Sequence, residues 1–355
     1  MTVETPSIED TYRDLRSKLA DVVPEPELAL KAELAYRINR LKRERGAVIL
    51  GHNYMEPALF HSVCDYTGDS LELSRIAATT EADPIVFCGV RFMAETAKIL
   101  NPDRTVLLPA RRAGCSLAAS ITAADVRELR RRYPGTPVVT YVNTYADVKA
   151  ESDVCCTSSN AAQVVESLDA EQVIFLPDEY LARNVAASTS KQIVFPSSQP
   201  VPQERRAADA SNGLQYEIVG WHGRCEVHEQ FTVQDIRDVR AQFPDVVVLA
   251  HPECSPEVVA ASDFSGSTGA MSRYVTETDA PRYLLLTECS MGDNIAAEAH
   301  DKEMVRLCSV RCPHMNEITL EEVLASLREN RYQIEVEPSV RARARRAIER
   351  MLEIT

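Results

Sequence analysis

Three of the ten cysteines in this 355-residue chain share a neighbourhood that the other seven lack. Cys115, Cys225 and Cys312 are each followed by a threonine seven residues on and an acidic residue ten residues on, in CSLAASITAAD, CEVHEQFTVQD and CPHMNEITLEE. The pairs Thr122/Asp125, Thr232/Asp235 and Thr319/Glu322 have capping-box spacing, in which the hydroxyl caps a helix and the acid reaches back. Each cysteine is thereby placed in a loop just before a helix. Three thiolates from separate loops can hold zinc, or three irons of a [4Fe–4S] cubane whose fourth iron stays open. A closed structural zinc site wants four ligands, often in Cys-x-x-Cys pairs, and the chain has no such pair. Soft thiolates suit iron–sulfur equally well, and an open iron would act as a Lewis acid on a hydroxyl or carbonyl, so dehydration is the favoured reaction component.

The repeat extends beyond the cysteines. Tyr141 and His251 each stand 26 residues after a repeat cysteine, near the end of an apolar run (TYVNT, AHPEC), and LGHNY supplies the matching text with His52 and Tyr54. Counting on 18, 17 and 17 residues from His52, Tyr141 and His251 reaches Ser70, Ser158 and Thr268, each expected to open a helix. From the same three positions to the next repeat cysteine is 63, 84 and 61 residues, the middle excess matching the polar, proline-rich stretch 196–215. Three copies of one α/β unit follow. About a pseudo-threefold axis, their strand ends, helix starts and cysteine loops would face one cavity, where helix N-termini and hydroxyls suit carboxylates or phosphates. Taken singly, Ser70, Ser158 and Thr268 read as ordinary N-caps; their shared offset favours a functional role.

The elements that must position these residues show in the alternation of short β-branched runs (48–50, 85–87, 106–108, 138–142, 173–176, 246–249, 283–286) with helical segments at 71–82, 125–133, 160–168 and 318–330. This predicts an α/β fold with buried parallel sheets, one to each of the three repeated units. Thirty-nine basic against 53 acidic residues give a net charge of −14, and the pI is near 5.1, which argues against a nucleic-acid or anionic-membrane binder. No run of roughly 18 apolar residues occurs, so the chain reads as soluble and cytoplasmic, where thiols stay reduced. Accordingly Cys64, Cys88, Cys289 and Cys308 are read as packing thiols, and Cys155, Cys156 and Cys254 as neighbours of the site. His228 and His314, each within three residues of a repeat cysteine, are read as outer supports. The basic C-terminal segment SVRARARRAIERMLE is read as a solvated helix.

LGHNYMEPAL, GDSLELSR, GCSLAASI, TYVNTYADVKAESDVCCTSSNA, VIFLPDEYLARN, AHPECS, DFSGSTGAM and CPHMNEITLEEV together resemble the quinolinate synthase family over residues 47–323. The resemblance implies three similar αβα domains around a [4Fe–4S] cluster, and condensation of iminoaspartate with dihydroxyacetone phosphate to quinolinate, phosphate and water in de novo NAD biosynthesis. It places Cys115, Cys225 and Cys312 as cluster ligands, and His52, Ser70, Tyr141, Asn143, Ser158, His251, Glu253 and Thr268 against substrate. Glu253 is the expected general base, its proton affinity raised by an apolar cavity. Tyr54 and Tyr141 are expected to relay protons or hold an oxyanion, with His52 and His251 assisting. An L-aspartate oxidase is the transient partner expected to supply the unstable imine. The expected domains are residues 1–112, 113–222 with the 196–215 insertion, and 223–319, with 320–355 packing back on the first. A different cluster-dependent hydro-lyase and a non-catalytic iron or oxygen sensor are the competing classes.

Overall fold

The computed structural model describes residues 6–197, 214–218, 223–307 and 310–354. Cys308 and most of the 196–215 insertion lie outside the described residues. The first repeat supplies β1 (Val48–His52), β2 (Tyr66–Gly68), β3 (Ile85–Cys88) and β4 (Val106–Leu107). The second supplies β5 (Val138–Tyr141), β6 (Val154–Cys156), β7 (Gln172–Leu176), β8 (Gln192–Ser197) and β9 (Leu214–Ile218). The third supplies β10 (Val247–Ala250), β11 (Phe264–Ser265), β12 (Arg282–Leu286) and β13 (Glu303–Val305).

Each of the β-branched runs named above contains a strand, short and apolar as buried parallel strands are. In every repeat the first strand pairs in parallel with the second, and the third with the fourth. In the first two repeats the first and third strands also pair, giving the orders β2-β1-β3-β4 and β6-β5-β7-β8-β9. The fold is thus α/β with parallel sheets, as the alternation implied. The chain divides into two compact units, one of Met1–Ala113 with Ser272–Ile334, the other of Gly114–Met271 with Glu335–Thr355. The first contains β1–β4, β12 and β13; the second contains β5–β11.

In the first unit, the helix Ile8–Leu19 begins at a Ser7/Asp10 capping box. The helix Glu25–Arg45 ends at Gly46, whose φ of 63° is open to a residue without a Cβ. Arg45 then reaches the helix Leu320–Glu329, donating to the Leu327 carbonyl and, at 2.7 Å, to Asn330 Oδ1. The C-terminal segment is shared between the units, for the last helix, Pro338–Glu353, belongs to the second. There Arg343 pairs with Glu151 at 2.8 Å, and Asn160 Nδ2 donates to the carbonyls of Met351 and Ile354 at 3.3 and 3.2 Å. The second unit has an aliphatic core in which Val126 and Leu129 of one helix meet Val138, Ile174, Leu176 and Val194 of the sheet. Among the described residues, no helix is long and apolar enough to cross a membrane.

One buried histidine couples the first unit to pH. The side chain of His61, 7% exposed on the helix Pro57–Ser62, has its pKa pushed down to about 4, first by burial and then by the charge of Lys18. The folded value lies below the unfolded one of about 6.5, so this contribution is complete above pH 6.5 and fades as pH falls toward 4. His61→Phe is expected to remove on the order of 2 kcal/mol of the stability that the protein loses between pH 7 and pH 4.5. Urea unfolding at the two pH values measures it; an identical loss in both proteins would contradict the assignment.

Candidate active site

Glu253 is the centre of a buried polar cluster in the second unit. It is 2% exposed, in the loop that follows β10, and three side chains donate to its carboxylate. The Tyr141 hydroxyl, from the end of β5, bonds Oε1, and Asn143 Nδ2 bonds the same oxygen at 3.2 Å. His228 Nδ1 meets Oε2 at 2.7 Å, and the His228 ring stacks on His251 with centroids 4.5 Å apart and planes at 18°. The carboxylate sits at the C-terminal ends of parallel strands, where open α/β sheets receive ligands.

The electrostatics overturn one expectation. Burial pushes the Glu253 carboxyl up, but the charge and hydrogen bond of His228, the charge of His251 and the Tyr141 hydroxyl together outweigh it, holding the group well below the usual carboxylate range. The anticipated rise in proton affinity does not occur, because hydrogen-bond donors rather than apolar groups surround the oxygens. Asp178, fully buried, goes the other way, pushed well up by burial and by the charge of Glu253. The opposed shifts favour negative charge on Glu253 over Asp178.

Cys225 lies close by. Its Sγ, a His228 ring nitrogen and a Glu253 oxygen fall within 4.8 Å of one another, near enough to share one metal ion. Burial pushes the Cys225 thiol up, with the charges of Glu253 and Cys115 adding to it, while the backbone N–H groups of Val227 and His228 act against them. Cys115 accepts the Ala118 N–H on its own sulfur at 3.4 Å. Thiols that receive N–H donors yet repel one another's negative charge form a donor set that a soft cation completes.

The first unit repeats part of this geometry. The Tyr54 N–H donates to His52 Nδ1 at 3.2 Å, and in the second unit the Glu253 N–H donates to His251 Nδ1 at 3.3 Å. An Nδ1 lone pair used this way puts the ring proton on Nε2, so both histidines present an N–H donor there. The Tyr54 hydroxyl bonds Thr287 Oγ1 at 2.5 Å, and the His52 and Tyr54 rings meet edge to face. Ser70 is the first residue of the helix Ser70–Thr79, but the cap is Asp69, so its hydroxyl has no capping duty. Thr268 likewise opens the helix Thr268–Glu277 and is buried. Ser158 differs: it stands in a turn ahead of Asn160, the N-cap of Ala161–Glu166, because Asn160 folds back onto Thr157. Cys312 belongs to the first unit, where its N–H bonds the Glu288 carboxylate.

The sequence points to His228 only as an outer support, and three further residues escape it. His228 has Ala118 and Met315 as its repeat counterparts, so internal comparison could not select it. The other three grip the backbone beneath the site. Asn294 Nδ2 donates to the carbonyls of Asn53 and Met55 at 3.1 and 2.9 Å. Asn184 Nδ2 donates to those of Pro252 and Cys254 at 2.8 and 3.1 Å. Lys149 Nζ, fully buried, donates to those of Val142 and Thr144. These carbonyls occupy equivalent places, one and three residues past His52, His251 and Tyr141, so one nitrogen straps each strand-end loop. Asn184 and Asn294 share an offset within their helices, a signal that carrying the repeat past the strands would have exposed.

Parallel α/β architecture with imidazole, carboxylate and thiol groups gathered at strand ends defines a ligand-binding, metal-capable enzyme class. Residues 36–353 match the family described as quinolinate synthetase A protein, NadA. Similar proteins include Quinolinate synthase 2 of Mesorhizobium japonicum, 56% identical over 88% of this chain and 89% of that protein. Quinolinate synthase 1 of the same organism is 52% identical over 99% of both chains, and the Quinolinate synthase of Agrobacterium fabrum is 53% identical over 96% of this chain and 91% of its own. The chain belongs to the quinolinate synthetase A family and is an enzyme of it.

Because the Glu253 charge is buried and held by His228, the two should be energetically coupled. Glu253→Gln and His228→Asn are each expected to cost about 3 kcal/mol, and the double variant about 2 kcal/mol less than their sum. A double-mutant cycle in urea unfolding measures the coupling; additive losses would show that the pair does not act as a unit.

Proposed function

We propose that this enzyme condenses iminoaspartate with dihydroxyacetone phosphate, forming quinolinate with loss of phosphate and water, in the cytoplasmic de novo route to NAD. The observation that carries the reading is Glu253 bound by Tyr141, Asn143 and His228 beside Cys225. Family membership supports it. Cys115, Cys225 and Cys312 would hold a [4Fe–4S] cluster, and the donor set around Cys225 fits one. When bound, the cluster supplies Lewis-acid chemistry toward a hydroxyl or carbonyl through its open iron.

The remaining roles fall to the chain. Glu253, kept ionised, is better suited to orient than to accept a proton; it fixes His228 through Nδ1, leaving Nε2 as the nitrogen that exchanges protons with substrate. Tyr141, already donating to Glu253, would protonate or steady a developing oxyanion next to it. His52 and His251 offer Nε2–H donors to carboxylate or carbonyl oxygens, and Tyr54 a second phenol. Asn143 has a buried Oδ1 without a hydrogen-bond partner, an acceptor suited to a substrate N–H or O–H. Ser70 and Thr268, at helix starts, and Ser158 would bind the two carboxylates and the phosphate. An L-aspartate oxidase would deliver the unstable imine. A net charge of −14 makes such local anion sites necessary.

Anaerobic incubation with the two substrates and detection of quinolinate tests the reading; no product from cluster-loaded protein would refute it. Cys225→Ser is expected to abolish the broad visible absorption of anaerobically purified protein, whereas Cys64→Ser retains it. Glu253→Gln is expected to keep the absorption and lose about a hundredfold or more in turnover.

A further inference from the structure

The same backbone hydrogen bond occurs three times, once before each repeat cysteine. The Arg91 N–H donates to the Ala113 carbonyl at 2.8 Å, the Glu179 N–H to Gly223 at 2.6 Å, and the Cys289 N–H to Val310 at 3.0 Å. Each acceptor lies two residues before Cys115, Cys225 or Cys312. Each donor is the first residue of the helix that follows the third strand of its repeat: Arg91–Leu100, Glu179–Ala186 and Cys289–Ala296. The N–H groups of a helix's first turn have no partner inside the helix, so this one is available to pin a neighbouring chain segment.

Side chains reinforce the contact in two repeats. In the second, Arg224 pairs with Glu179 (Nε 2.9 Å and NH2 2.8 Å from Oε2) and lies 4.7 Å over the Tyr180 ring. Gly223 is packed so closely that a Cβ would fall 2.0 Å from the Pro177 carbonyl oxygen, so only glycine fits. In the third, Glu288 accepts the N–H of Cys312, and Arg311 reaches Ser290 Oγ at 3.3 Å.

We propose that these three helix-start amides are the positioning contacts that set the cysteine loops for the metal centre. The proposal rests on the cluster assignment above. It assigns a role to backbone N–H groups, which proline substitution removes selectively. Proline is favoured at the first helical position, and the residue before it must be extended. Val90 (φ −104°, ψ 165°), Asp178 (φ −86°, ψ 118°) and Glu288 (φ −59°, ψ 132°) already are.

The test uses Arg91→Pro and Cys289→Pro, with Arg91→Ala and Cys289→Ser as controls that keep the N–H. After anaerobic reconstitution with iron and sulfide, the proline variants are expected to release iron to a chelator about fivefold faster than wild type, and the controls at the wild-type rate. Their reduced clusters are expected to give an altered EPR spectrum, while the apo-proteins melt close to wild type. Proline variants that melt normally but hold iron like wild type would overturn the proposal. Should they fail to fold, hydrogen exchange of the wild-type apo-protein decides: protection at the amides of Arg91, Glu179 and Cys289 supports the contact, and exchange at the rate of an open helix end refutes it. Wild-type protein that takes up no cluster would refute the cluster assignment instead, and the exchange measurement would still read the contacts.

Discussion

A carboxylate sealed from water keeps its charge only if hydrogen-bond donors replace the solvent it has lost, and Glu253 meets that condition with a phenol, an amide and an imidazole. The requirement reaches far into the second unit. Tyr141 and Asn143 must come from the end of β5, His228 from the loop after Cys225, and Glu253 itself from the end of β10. Burial and the charge of Glu253 together raise the proton affinity of Asp178. Removing any donor leaves an uncompensated charge, so loops that are distant in sequence are bound into one arrangement.

The backbone beneath this cluster obeys the same rule at lower stakes. A strand-end loop that turns away from its sheet leaves carbonyls without ladder partners. Here a single nitrogen, from Asn184, Asn294 or Lys149, satisfies two of them in each loop. The lysine can replace an asparagine because an ammonium also carries several donors, and its burial is tolerable because its hydrogen bonds are made.

Much of this was legible in the residues. The apolar runs gave the inner strands, and the capping pairs Thr122/Asp125 and Thr232/Asp235 form as their spacing required. Thr319 also caps its helix, accepting the Glu322 N–H at 3.4 Å. Edge strands such as β2 and β11 were not read, since two or three residues such as YTG or FS become strands only when a neighbour offers a ladder. Tyr141, Asn143 and Glu253 could be named from motifs, but the sign of the Glu253 shift could not, because it depends on His228, whose repeat counterparts, Ala118 and Met315, are not histidines. The straps were hidden for a related reason: a lysine or asparagine that binds carbonyls many residues away leaves no local pattern.

The amide that holds Gly223 lies 44 residues upstream of it, while the equivalent spans in the other repeats are 22 and 21. The middle repeat has doubled the tether without moving its anchor. Closing a longer span costs only a slowly growing entropy, about 0.6 kcal/mol for a doubling. The added length therefore enters on the near side of the fastening, where it can vary in size and sequence while the thiol beyond it stays in register.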